Sequence, residues 1–310
     1  MGAQRAGGAR LNEGWRLFQG ARLALRVPNS LGNFGDCAAQ PPASLCTSNV
    51  KRQHVMSRFM LDAWTGRIGR VLARRVRVKP VVSKLQAPLA SISFDDIPAS
   101  AARVGAPILE AAGLHGTFYV CGKHAGERFE DRQQHEIADL IALHAGGHEL
   151  ACHSFAHPDV TRLNKSARDT DRLANQAFMR EKVADHALTS FAYPYGSMSL
   201  SAKAYYGRHF TTCRGVVGGV NAGVMDFSDL KAVGIENRHH DMGRVRALID
   251  TARAQNGWLI FFTHDVSPQP SAYGCTPKDL EDVITALADA KVTTMPVKTA
   301  AQCVLTGEST

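Results

Sequence analysis

From residue 85 onward, short apolar runs rich in β-branched and aromatic residues alternate with longer stretches whose apolar positions recur at helical spacing. The runs cover 89–94, 116–120, 148–152, 190–193, 210–217, 230–235, 258–263 and 292–297. Helices are predicted over 99–112, 132–145, 166–185, 243–254 and 276–290, the last opening on Thr276-Pro277 with Asp279 placed to cap it. Strands alternating with helices imply parallel β/α units, and seven or eight of them suffice to close a ring. The fold class is therefore α/β: a distorted (β/α) barrel of seven to eight parallel strands, TIM-barrel-like, with a basic extension ahead of it.

The extension divides in two. Residues 1–55 are rich in Gly, Ala, Arg, Pro and Ser and show no sustained period. They read as disordered or weakly ordered, as an Arg-rich transit peptide, or as residues ahead of a start at Met56 or Met60. Residues 56–84 form a basic amphipathic helix and linker. Met60, Trp64, Ile68, Val71 and Leu72 share one face, and Arg67, Arg70 and Arg74 another. That helix packs on the domain or, as an alternative, residues 56–75 touch a membrane surface. The barrel is assigned to 85–300 and a tail to 301–310.

Charge sharpens this division. The formal net charge is +8, yet residues 1–85 hold 15 Lys and Arg against 3 Asp and Glu, and the remainder 21 against 25. The basicity belongs to the extension, so no nucleic-acid partner is expected for the barrel. The seven cysteines are dispersed without a C-x-x-C pair, which suits buried thiols in a reducing compartment. With no apolar run of spanning length and no signal-peptide pattern, a cytoplasmic protein is expected. There is no P-loop and no G-x-G-x-x-G after a strand.

In such a barrel, chemistry collects at the C-terminal ends of the strands. The first run ends in Ser93-Phe94-Asp95-Asp96-Ile97-Pro98 and the third in His153-Ser154-Phe155-Ala156-His157-Pro158. The fourth ends in Tyr193-Pro194-Tyr195-Gly196 and the seventh in Thr263-His264-Asp265. Two imidazoles and one carboxylate are a common set for a catalytic divalent ion with open positions. One of the paired aspartates completes that set with His153 and His157, which leaves the other to act as a base. Taken singly, an Asp-Asp pair is a common turn and a lone His264 an ordinary core residue. His144 and His148 share the four-residue spacing but straddle Gly146-Gly147 at a helix end and carry no such meaning.

The order and placement of these groups resemble the polysaccharide deacetylases, the chitin-deacetylase-like and chitooligosaccharide-deacetylase-like enzymes of carbohydrate esterase family 4. Ser-Phe-Asp-Asp at 93–96, His-Ser-x-x-His-Pro at 153–158 and the strand ending at His264 look like that family's first, second and last motifs, and the resemblance covers about two thirds of the chain. It implies that Asp95 is the catalytic base, that Asp96, His153 and His157 bind a divalent metal, usually Zn2+, and that His264 is the general acid. It also implies that the Tyr195 backbone N–H stabilises the oxyanion.

Two positions depart from the pattern. Ile97 stands where the family usually has glycine, which is expected to alter the loop. Ala192 stands where an arginine often orients the base. Arg214, at the end of the fifth run, is a candidate replacement; the alternative is a surface guanidinium. The family's Asp-x-x-Trp element is not evident, and Asp229 and Asp241 are weak candidates for tuning His264.

The resemblance implies a metal-dependent hydrolase that removes N-acetyl groups from a saccharide. Alternatives are hydrolysis of another C–N amide or an O-acetyl ester on the same barrel, and a non-catalytic carbohydrate-binding protein. A wall polymer as substrate sits awkwardly with a cytoplasmic location. A third reading puts the function in the basic N-terminal helix.

Overall fold

Alternation along the first apolar run decides how the barrel is filled. Ala90, Ile92 and Phe94 enter the main hydrophobic core under the helices, while Ser91 and Ser93 spend their hydroxyls on Trp258 Nε1 and the Phe261 carbonyl. All seven residues of this strand, β1 (Leu89–Asp95), are buried, as expected where a parallel sheet is covered on both faces. The computed structural model describes residues 73–183 and 186–308. The stretch 1–55 and most of the predicted helix over 56–75 lie outside the described residues.

The remaining barrel strands are β2 (Thr117–Val120), β3 (Glu149–Cys152), β4 (Ser190–Ala192), β5 (Thr212–Arg214), β6 (Val233–Gly234), β7 (Trp258–Thr263) and β8 (Thr293–Thr294). All pair in parallel, in the order β6-β7-β1-β2-β3-β4-β5, with β8 beside the first two residues of β1. Leu230 exchanges backbone hydrogen bonds of 2.8 and 2.9 Å with Cys213 and Gly215, and the same segment continues into β6. The sheet thus curls back toward its own first edge, the distorted barrel that the hydrophobic pattern predicts.

Helices cover the outside: α1 (Ala106–Ala111), α2 (Ile137–Ala145), α3 (Lys165–Lys182), α4 (Leu200–His209), α5 (Met242–Gln255), α6 (Pro277–Asp289) and α7 (Val297–Thr306). The cap expected at Thr276 is present: its hydroxyl accepts from the Asp279 N–H while the Asp279 carboxylate accepts from the Thr276 N–H. Two helices are additions. The pattern misses α4 because its buried side includes Lys203 beside Ala202, Tyr205 and Tyr206. It misses α7 because 292–297 reads as one strand; here only Thr293–Thr294 is strand, and Val297 already opens the helix. That helix crosses residue 300, where the barrel was expected to end, and buries Val297, Ala300, Ala301, Cys303 and Val304. Its N-terminus donates from Val297 and Lys298 to Thr117 and Glu149 inside the barrel.

Of the seven cysteines, the five within the described residues are free and buried. Among the described residues, no helix is long and apolar enough to cross a membrane.

Candidate active site

The parallel register brings the C-terminal ends of β1, β3, β4, β5 and β7 to one mouth, so residues distant in sequence meet there. The mouth holds a cleft of about 530 Å3 whose lining includes Asp95, Asp96, His153, His157, Tyr195 and His264. His144 and His148 are not part of it; His148 instead pairs with Glu110 at 3.1 Å and accepts the Gly116 N–H.

Asp96, His153 and His157 are buried and converge, with one ligand atom from each lying within 4.8 Å of the others. Nε2 of His153 is 3.6 Å, and Nε2 of His157 3.4 Å, from Asp96 Oδ1. Ligand atoms held at about 2.1 Å around a tetrahedral ion are separated by roughly 3.4 Å, so the donor set and its spacing fit a divalent metal. His153 Nδ1 donates to the Ala192 carbonyl at 2.9 Å, which fixes the ring and leaves the Nε2 lone pair facing Asp96. Burial, acting against the neighbouring carboxylates, lowers the His153 pKa to about 4, so the ring is neutral at pH 7. The loop between the two histidines is braced from α3, where Asp171 accepts from the Phe155 and Ala156 N–H groups; within it Ser154 Oγ accepts from His157.

Backbone strain is concentrated at this loop and at the ends of β1 and β4. Asp96, Ile97, Ser154, His157 and Tyr195 all have φ between 52° and 67°. Left-handed backbone at non-glycine residues costs of order 1–3 kcal/mol and persists where surrounding structure imposes it. Ile97 is the most informative case, because a β-branched residue rarely adopts φ of 54°. Ile97 thus holds a left-handed backbone that glycine would adopt without strain. The Ile97 side chain is fully buried in the main core, and its carbonyl accepts the His135 N–H.

Beside this set, the Arg214 guanidinium bonds Oδ1 of Asp95. Arg214 is fully buried, which excludes the surface alternative. Burial pushes the Asp95 carboxyl up, but the charges of Arg214, His153 and His264 outweigh it and hold the group below its usual range. Burial likewise opposes ionisation of Asp96, and His153 and His157 bring it down to about 2.

His264 lines the same cleft, and its Nδ1 meets the Tyr273 carbonyl at 3.2 Å. Neither of the two weak candidates, Asp229 and Asp241, meets this ring nitrogen. Asp229 lies by Lys203 at 3.5 Å, and Asp241 is occupied as the cap of α5, accepting from Gly243 and Arg244. A backbone carbonyl as partner leaves no mark in a sequence. Tyr195 lies with its ring 4.4 Å from that of His157.

Several residues of the site escape the sequence pattern. Tyr119 and Phe262 flank the Arg214 guanidinium, and Glu236, Arg238, Arg244 and Tyr273 line the cleft. Tyr119 and Phe262 read as ordinary strand residues, and the other four lie outside any motif.

Residues 83–210 match the family described as Polysaccharide deacetylase. This part of the chain is similar to that family, and it carries the strand-end motifs at 93–96 and 153–158. A curated relative, a bifunctional xylanase/deacetylase from Pseudobutyrivibrio xylanivorans, is 31% identical over 78 residues, which is 25% of this chain and 12% of that protein. The match thus spans about an eighth of the relative's length.

Among solved structures, a candidate polysaccharide deacetylase from Mycobacterium smegmatis aligns over 76% of this chain and 96% of its own, at 16% identity and a TM-score of 0.55. The fold is therefore shared. The Xyl-CE4 domain of a multidomain xylanase from the hindgut metagenome of Trinervitermes trinervoides aligns over 69% of this chain and 89% of its own, at 17% identity and a TM-score of 0.46.

Proposed function

We propose that the chain is a metal-dependent hydrolase that removes acetyl groups from an N-acetylated saccharide, releasing acetate and a free amine. The observation that carries this reading is the convergence of Asp96, His153 and His157 in one cleft with a second carboxylate, Asp95, and a further imidazole, His264. A decayed, purely binding site would lack one of these groups.

In this reading Asp96, His153 and His157 hold a divalent ion, most simply Zn2+. Such an ion supplies Lewis acidity toward the acyl oxygen and lowers the pKa of water in its coordination sphere. Asp95 is the base. Its Oδ1 is engaged by Arg214, which keeps the carboxylate ionised and leaves Oδ2 to take a proton from the attacking water. His264, held through Nδ1 by the Tyr273 carbonyl, presents Nε2–H to the leaving nitrogen and donates that proton to it, while the proton from water is held on Asp95. The Tyr195 N–H, set by the left-handed turn after Pro194, stabilises the charge that develops on the acyl oxygen.

Acetate release from a panel of N-acetylglucosamine oligomers and O-acetylated sugars, by metal-stripped protein with and without zinc, tests the reading. Release should require the metal and be abolished by Asp95→Asn and by His153→Ala. Metal binding with release from the O-acetyl esters alone would move the assignment to an esterase. Failure to bind a metal ion would sink the mechanism.

A further inference from the structure

The guanidinium that contacts the base lies between two aromatic rings. Arg214 Cζ is 5.0 Å from the centroid of Tyr119, on β2, and 4.9 Å from that of Phe262, on β7. Tyr119 and Arg214 are fully buried and Phe262 nearly so. Polar contacts do little to fix this arginine. Among the described residues its Nε is buried without a partner, and apart from Asp95 and the adjacent Tyr119 hydroxyl it reaches the Gly215 carbonyl, at 3.4 Å. A planar cation dried and flanked by two ring faces is held by them, and its direction is set by their positions. Room for the Tyr119 ring comes from two alanines, Ala151 on β3 and Ala192 on β4, which form a separate buried cluster with it.

Resting on the assignment of Asp95 as base, we infer that Tyr119 and Phe262 are positioning residues, whose rings aim Arg214 at Asp95 and so set the orientation of that carboxylate in the cleft. Tyr119 does not line the cleft, so it acts on turnover without touching the saccharide. Its hydroxyl lies beside Arg214 but has no well-aligned hydrogen bond among the described residues, so the effect is assigned to the ring face.

The test compares Tyr119→Phe with Tyr119→Leu, and adds Phe262→Leu in case loss of the tyrosine ring prevents folding. Tyr119→Phe should keep wild-type turnover. Tyr119→Leu should lower kcat by about tenfold or more while leaving KM and metal content unchanged. Phe262→Leu should lower kcat likewise, and a wild-type kcat in either leucine variant would overturn the inference. Equal loss in Tyr119→Phe and Tyr119→Leu would also overturn it, by placing the effect on the hydroxyl. Crystal structures of the variants provide a readout independent of catalysis: in Tyr119→Leu the guanidinium should leave Asp95, and an unmoved Arg214 would refute the inference. If the wild-type protein releases no acetate, the functional assignment falls, while the position of Arg214 in the variants still decides whether the rings aim it.

Discussion

Among the described residues two cations are fully buried, Lys203 and Arg214, and they are treated in opposite ways. Lys203, on α4, donates to the carbonyls of Ala73 and Val76 at 2.7 and 2.9 Å and pairs with Asp226 at 2.8 Å, with Asp229 a further 3.5 Å contact. An ammonium has three protons, and each has an acceptor. Arg214 has one carboxylate, one long carbonyl contact, two ring faces and an orphaned Nε. Among the described residues, the Tyr119 hydroxyl beside it and Nδ1 of His157, in the cleft with Asp95, also lack a well-aligned hydrogen bond. A fully satisfied cluster ties chain segments together, here the segment before Pro80, α4 and the strand Val224–Asp226. A cluster left partly unsatisfied keeps hydrogen-bonding capacity for something that is not protein.

The comparison is broken most directly at Asp95. Asp95→Asn keeps the size of the side chain and can still accept from Arg214, so the domain should remain folded by circular dichroism. Removal of a general base costs of order 10^2 to 10^4 in kcat. A folded Asp95→Asn protein with wild-type turnover would show that the Arg214 cluster is structural, like that of Lys203.

Lys203→Met should show the reverse pattern. Asp226 also accepts from the Val78, Lys79 and Ser228 N–H groups, so its charge stays in place when the lysine is gone. Breaking a buried pair from one side costs about 3–5 kcal/mol. Denaturant midpoints should fall accordingly, while kcat per folded molecule stays unchanged. Unaltered stability would mean that Lys203 is not the tie its contacts indicate.

Sequence pattern reached these two clusters unequally, for a physical reason. Asp95, Asp96, His153, His157 and His264 are legible because a parallel barrel sends the residue after each apolar run to the same mouth, whatever the loops do. Arg214 is legible on the same rule. Lys203 is not, because a lysine on a helix normally faces water, and only the fold reveals the two carbonyls and two carboxylates waiting for it. Tyr119 and Phe262 are legible as core, while the cation between them depends on register, with Tyr119 opposite Asp95 and Ala192 opposite Arg214. The partner of His264 is not legible, because side chains are all that a sequence displays and the group at its Nδ1 is the Tyr273 carbonyl.

The smallest effect sharpens the Lys203 side of the comparison. Burial pushes the Asp229 pKa up from 3.8 to about 6, Lys203 only partly offsetting this, whereas the Asp226 carboxyl is held below its usual range as Lys203, Ser228 and Lys79 outweigh burial. The two signs differ. For Asp226 the folded state favours the ion, so its contribution is present above the unfolded pKa and is lost as pH falls through the depressed folded value. For Asp229 the folded state favours the acid, so its contribution is present below pH 3.8 and is lost as pH rises from there to about 6. Asp229→Asn removes only the second dependence. Its stability relative to wild type should therefore climb by about 2 kcal/mol between pH 4 and pH 6.5 and then level off, as read from urea midpoints across that range. A flat difference would mean that Asp229 is ionised throughout and serves as a full second counterion to Lys203. That outcome would make the Lys203 cluster a net anionic triad, still fully paired but no longer with one carboxylate to spare.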